Sequence, residues 1–229
     1  MSSKKTARVA GLLYLLVAIT GAFSIVYVPA TLIVLADATA TADRIMSSEW
    51  LLRLGILSEL ISAVAFIFLV LALHRLFKAT SEKLASLMVI FVLVSVPISF
   101  VNVLNEIAAL VLLRGPDFLS VFDRRQLDAL ALLFLRLHSQ GLFVVAGVFW
   151  GLWLLPLALL VMKSGFAPRA VGFLLVLAGV AYVAVSATSL LLPQYLPLVS
   201  TVALLLEAGE LPMIVWLLLT GAKGAARAG

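Results

Sequence analysis

The sequence predicts an all-α fold: a polytopic membrane protein built as a six-transmembrane-helix bundle, with both termini cytoplasmic. Three observations lead there. Of 229 residues, 64% are hydrophobic and 12% charged, with a mean hydropathy of +1.23; a soluble domain is about half apolar and a quarter charged. The apolar residues gather in runs long enough to cross a bilayer, about 20 residues each. The breaks between them are short and polar or proline-bearing, which leaves no room for a catalytic or nucleotide-binding domain outside the membrane. The chain reads as a single transmembrane domain over residues 1–229.

Span one, approximately Val9–Leu35, follows Lys4, Lys5 and Arg8. A signal peptide is the competing reading, but its apolar core is only about 7–15 residues, so the run is read as a retained helix. Span two, Leu51–Leu73, begins after the polar break "ADATATADRIMSSEW" and ends at "HRLFKATSEK". Span three, Leu84–Leu113, and span four, Ala129–Met162, flank "RGPDFLSVFDRRQLD" and are longer than a bilayer requires. Tilt, or a hairpin projecting outward, would absorb the excess, and Pro97 and Pro156 are candidate kinks. Spans five, Ala170–Leu192, and six, Leu198–Thr220, are separated from their neighbours by "KSGFAPR" and "PQYLP".

Lys and Arg set the orientation. With the N-terminus inside, Lys4, Lys5, Arg8, Arg75, Lys78, Lys83, Lys163, Arg169, Lys223 and Arg227 are cytoplasmic. Only Arg44, Arg114, Arg124 and Arg125 lie outside. The net charge of +5 therefore belongs to the membrane edge. No basic run is interleaved with aromatics, so nucleic acid is excluded as a partner. Cysteine is absent, which removes disulfides, thiolate metal sites and Cys nucleophiles.

Polar residues inside the spans are few: Arg53 and Glu59 in span two, Asn102, Asn105 and Glu106 in span three, Arg136, His138 and Gln140 in span four, Tyr182 in span five, and Glu207 and Glu210 in span six. Measured from the outer end of each run, Glu59, Glu106 and Arg136 lie about 10–12 Å deep, Glu207 about 14 Å and Glu210 about 18 Å. The ionisable groups thus gather in the outer half and are expected to form one pocket opening outward, covered by the outer ends of spans three and four. Glu207 and Glu210 share a helix face. Pro212 removes the hydrogen-bond partner of the Ala208 carbonyl between them, which makes that carbonyl a candidate pocket wall. Arg53 and Arg136 are the fixed cations expected to pair with two of the four carboxylates. A carboxylate left over in low dielectric takes a proton or recruits His138, a metal or a cationic ligand.

The stretches "RVAGLLYLL", "FWGLWLLPLALLVMKSGFAPRAVGFLLVLAGVAYV" and "GELPMIVWLLLTG" resemble the bacterial six-span family catalogued as domain of unknown function 4386. The most specific pieces are the turn from Ser164 to Arg169 and the Gly-Glu-Leu with Trp216. The resemblance implies a six-helix, multi-pass inner-membrane protein and implies no activity. Glu210 is the pocket candidate inside a family-like motif; Pro212 and Met213 depart from the pattern.

Three classes of function remain. An outward-open protein that binds or transports a small polar or cationic solute, proton-coupled or not, fits the buried carboxylates directly, because intramembrane ionisable groups mark solute and proton paths. An intramembrane enzyme acting on a lipid-like substrate is the second. Glu207 and Glu210 with His138 offer oxygen and imidazole ligands, but His74 sits at the opposite boundary, and Ser139 adjoins His138 on the helix without facing it. No catalytic residue and no cofactor is assigned. A structural or sensor protein whose charges only staple helices is the third. Gly147 and Gly151 allow close helix contact, first of all within the chain, with a homo-oligomer as the other use. Trp150 and Trp153 are read as packing or lipid-facing residues.

Overall fold

The computed structural model describes residues 3–219; Thr220, Lys223 and Arg227, named above, lie outside them. Among the described residues six helices are long and apolar enough to cross a membrane: Lys4–Leu32, Glu49–Phe77, Glu82–Arg114, Arg124–Ser164, Arg169–Leu191 and Pro193–Leu219. The chain is an all-α bundle with the features of a membrane protein. We call the end carrying Ser3 and Leu219 proximal and the other end distal.

Helix termini follow local chemistry. Ser81 accepts from the Leu84 amide to start span three. Asp123 and Gln126 form a reciprocal capping box that starts span four. Gly115 (φ 58°) and Gly165 (φ 61°) take the left-handed conformation that ends spans three and four, a conformation costly for residues with a Cβ.

A short helix, Ala38–Ser47, lies inside the first break, where the sequence suggested only a polar connection. Asp37 caps it by accepting from the Ala40 amide, and the Thr41 hydroxyl ties it back to Val34. It buries Thr41, Ala42 and Ile45. These three residues follow helical spacing within a stretch too polar to stand out by hydropathy.

Two apolar cores hold the bundle. The proximal one unites all six spans, with Leu69, Leu73, Met88, Leu154, Leu157, Leu175 and Leu217 fully buried. The distal one joins Val28 and Leu32 of span one to Leu52, Leu113, Leu135 and Ile45 of the short helix. Spans three and four, at 33 and 41 residues, rise about 50 and 60 Å at 1.5 Å per residue. That is well beyond a hydrocarbon thickness of about 30 Å. Their distal ends contribute Ala109, Leu110, Leu113, Leu127, Ala131 and Leu135 to the distal core.

Spans four and five touch backbone to backbone. A Cβ on Gly151 would stand 2.4 Å from the Gly179 carbonyl oxygen, and one on Gly147 would stand 3.0 Å from Ser186 Oγ. The glycine pair therefore serves contact within the chain. Gly151→Ala forces the two helices apart and should lower stability by about 1–3 kcal/mol, read as a fall in thermal midpoint in mild detergent. Trp153 is buried among Tyr14 and Phe66, and Trp150 stands edge-on to Tyr182; both tryptophans pack inside the bundle.

The helices change their winding at places that hydropathy does not mark. Span one widens into a π-helical turn at Phe23–Tyr27, just before Pro29, whose ring would collide with the carbonyl four residues earlier in a regular helix. Span four has a second π-helical turn at Gly141–Ala146. Span six tightens to a 3-10 turn at Ala208–Glu210. Pro97 and Pro156 both lie within continuous α-helix.

Candidate functional site

Between the two cores, three buried side chains from three spans converge. Glu59 of span two, Glu106 of span three and His138 of span four are 5%, 4% and 6% exposed. His138 Nε2 lies 3.1 Å from Glu59 Oε2 and 3.6 Å from Glu106 Oε2. One ligand atom from each residue fits within a 4.8 Å span. Glu59 Oε1 and Glu106 Oε2 have no hydrogen-bond partner among the described residues, although buried polar oxygens are nearly always satisfied.

The neighbours hold this triad in place. Asn102 lies one turn before Glu106 and donates from Nδ2 to the His138 carbonyl oxygen, 2.8 Å away. Asn105 donates to the Asn102 backbone and side-chain oxygens. Gly141 makes this approach possible, because a Cβ there would fall 2.1 Å from Asn102 Oδ1. The π-helical turn begins at the same glycine. Such turns concentrate at functional sites in other proteins. No hydroxyl hydrogen-bonds the His138 ring among the described residues, so a Ser–His pair is not formed.

A groove of about 460 Å³ leads to the triad. Its walls are span one from Ile25 to Leu32, which includes part of the first π-helical turn, with Ile33 and Leu35 just after it, and span four from Leu135 to Phe143. Glu106 and His138 line it, as do Arg136, Ser139 and Gln140.

The single pocket expected from depth along the sequence divides into two groups. Glu210 is not with the triad. It receives hydrogen bonds from the hydroxyls of Tyr14 in span one and Tyr182 in span five. Counted from the proximal ends at 1.5 Å per residue, this second group lies about 14–20 Å up the bundle and the triad about 27–39 Å. Depths measured from distal ends misled because spans three and four project beyond span six. The Ala208 carbonyl is not free either: the 3-10 turn lets it accept from the Leu211 amide. Glu207 is half-buried and belongs to neither set of hydrogen bonds.

The arginines also differ from expectation. Arg53 pairs with Glu49 one turn earlier at 2.6 Å, and Arg114 reaches the same carboxylate at 2.6 Å. This trio knots spans two and three at the distal rim. Arg136 is exposed and donates to the Leu35 carbonyl. Neither arginine neutralises a buried glutamate, because each side chain extends toward the surface and finds a nearer acceptor there. Gln140 is exposed on the groove and accepts from Ser189. Of the sequence candidates, Glu59, Asn102, Asn105, Glu106 and His138 come together here, and Tyr182 joins Glu210 in the second group. Helical spacing could place Asn102 and Glu106 on one face, but only packing could bring His138 to them.

The stretches that carried the family resemblance meet each other in space. Tyr14 bonds Glu210, a Cβ on Gly11 would press on Leu217 at 3.0 Å, and Trp216 Nε1 donates to the Phe166 carbonyl at 2.9 Å. They assemble the proximal core, whereas the triad lies outside them. No curated protein and no solved structure matches the chain. The model of one family, described as "Domain of unknown function (DUF4386)", matches residues 9–221, so the chain belongs to that family.

Proposed function

We propose that the protein binds a small cationic solute, a first-row divalent metal ion, at Glu59, Glu106 and His138. The observation that carries this reading is two buried carboxylates and an imidazole with their ligand atoms inside 4.8 Å. Two of the carboxylate oxygens there lack a protein donor. Ligands about 2.0–2.1 Å from a tetrahedral ion stand about 3.3 Å apart, and the two His138 distances, 3.1 and 3.6 Å, bracket that value. Imidazole with carboxylate suits zinc, iron or manganese better than magnesium or calcium, which favour all-oxygen shells. The Asn102 bond to the backbone of His138 supports the ligand's position, as outer partners do in metal sites.

With the distal end outward, as the Lys and Arg distribution implies, the cation arrives from outside the cytoplasmic membrane. Below the triad the proximal core is filled by Phe66, Met88, Val92 and Trp153, so this conformation favours binding from the distal side. Transport adds a rearrangement of that core and is the second step to test.

The test is calorimetric titration of chelator-treated protein in mild detergent with Zn²⁺ and with Mn²⁺. One site per chain is expected, weakened at least about 100-fold in Glu106→Gln. Affinity should fall as pH is lowered, because the ligands must be deprotonated and binding releases protons. Absence of saturable binding, or equal binding by Glu106→Gln, would overturn the proposal. Cation uptake into proteoliposomes then separates a transporter from a binding protein.

A further inference from the structure

The groove that reaches the triad has walls that a hydrated cation does not require. Ile25, Val28, Leu32, Ile33, Leu142 and Phe143 form a hydrocarbon channel. Its edges bear exposed apolar side chains: Leu35 is 68% exposed and Phe143 41%. In a membrane protein such surfaces face lipid. Span six does not close this side. Its distal half, Leu196–Glu207, packs on span five and buries Ala203 alone. The turn at Ala208–Glu210 and Pro212 mark where that half begins.

At the same groove stands a cation with no counter-charge. Arg136 is exposed and donates to the Leu35 carbonyl, and no carboxylate pairs with it among the described residues. Gln140, one turn further along, lines the same groove and adds amide donors. A hydrocarbon channel open to the bilayer, with a guanidinium and an amide beside it, is complementary to a lipid bearing an anionic headgroup. Arg matches phosphate geometry with paired donors, and pockets of about 300–1,000 Å³ with mostly apolar walls and few polar groups are typical ligand sites.

We propose that this groove takes one acyl chain of an anionic phospholipid from the surrounding bilayer, with Arg136 and Gln140 holding the phosphate. The lipid phosphate then lies on the groove that Glu106 and His138 also line, and it supplies an anion to the bound cation. Only this last element rests on the cation reading; the chain and the arginine do not.

The test measures lipid retained by protein purified in neutral detergent from vesicles of equal parts phosphatidylglycerol and phosphatidylcholine, by native mass spectrometry. Wild type should retain one phosphatidylglycerol in preference to phosphatidylcholine. Arg136→Ala should reduce that preference about fivefold, as one interfacial arginine is worth about 1 kcal/mol toward anionic lipid. Ala30→Trp, at an exposed groove position, should block retention of either lipid. Both positions are exposed, so the variants leave the cores intact. Equal retention of the two lipids by wild type, or retention unchanged in both variants, overturns the proposal. Repeating the measurement on chelated protein and on Glu59→Gln separates the two readings. If the cation reading fails, preference for phosphatidylglycerol survives and added Zn²⁺ changes nothing. If the lipid reading fails, Zn²⁺ still binds while the two lipids are retained alike.

Discussion

His138→Ala should reduce divalent-cation affinity by at least about 100-fold, since it removes the only nitrogen ligand of the triad and loosening a supporting group alone costs about 10–100-fold. Calorimetric titration of the variant beside wild type reads the loss directly. The variant should fold, because Asn102 bonds the backbone of residue 138 and not its ring, so the contact between spans three and four persists. A thermal midpoint close to wild type, together with lost binding, identifies the triad as a site retained for a ligand. If the midpoint collapses and wild type binds no cation, the imidazole is a staple between two carboxylates. That outcome returns the molecule to the structural reading. Asn102→Ala provides the graded case: the ring stays, its support goes, and affinity should fall by about one order of magnitude.

Glu210→Ala should behave in the opposite way, with a large loss of stability and no loss of cation binding. Tyr14 is 3% exposed, and its hydroxyl and that of Tyr182 both end on the Glu210 carboxylate. A buried donor left without its partner costs about 1–3 kcal/mol, and removing the shared acceptor strands two hydroxyls at once. A fall of about 2–4 kcal/mol is expected, measured by denaturant unfolding in mild detergent. Tyr14→Phe should lose roughly half of it. Because the two polar groups lie at different heights in the bundle and share no partner, their effects should add. A double variant of Glu210 and His138 whose stability departs strongly from the sum would show that they communicate.

The two groups differ in how they meet their cost of burial. Glu210 is satisfied by the chain itself, through Tyr14 and Tyr182, which sit in the stretches that carried the family resemblance. Glu59 and Glu106 keep oxygens that no described residue satisfies. A buried group satisfied internally is a fastening; one left short of partners asks for a ligand. Gly141 sharpens the contrast: it admits Asn102 to the backbone of span four where the helix opens into a π-helical turn, a local irregularity placed beside the triad.

Much of this was legible in the residues. Six spans follow from apolar runs about 20 residues long, because a backbone in hydrocarbon must satisfy its own hydrogen bonds and helices do so locally. The excess length of spans three and four was equally plain. So was the presence of Glu59, Glu106, His138 and Glu210 inside helices, where a charge is costly enough to need a reason. Helical spacing also puts Asn102 and Glu106 on one face, since four residues make about one turn. What it could not supply was height and azimuth between helices. Each span has its own starting level and tilt, so depths counted along separate chains do not share a zero. That is why Glu210 was expected beside Glu106 and stands about 20 Å below it at 1.5 Å per residue. The partners of Arg53 and Arg136, the π-helical turns and the convergence of His138 on two carboxylates were settled by packing, because they depend on contacts between residues far apart in the chain.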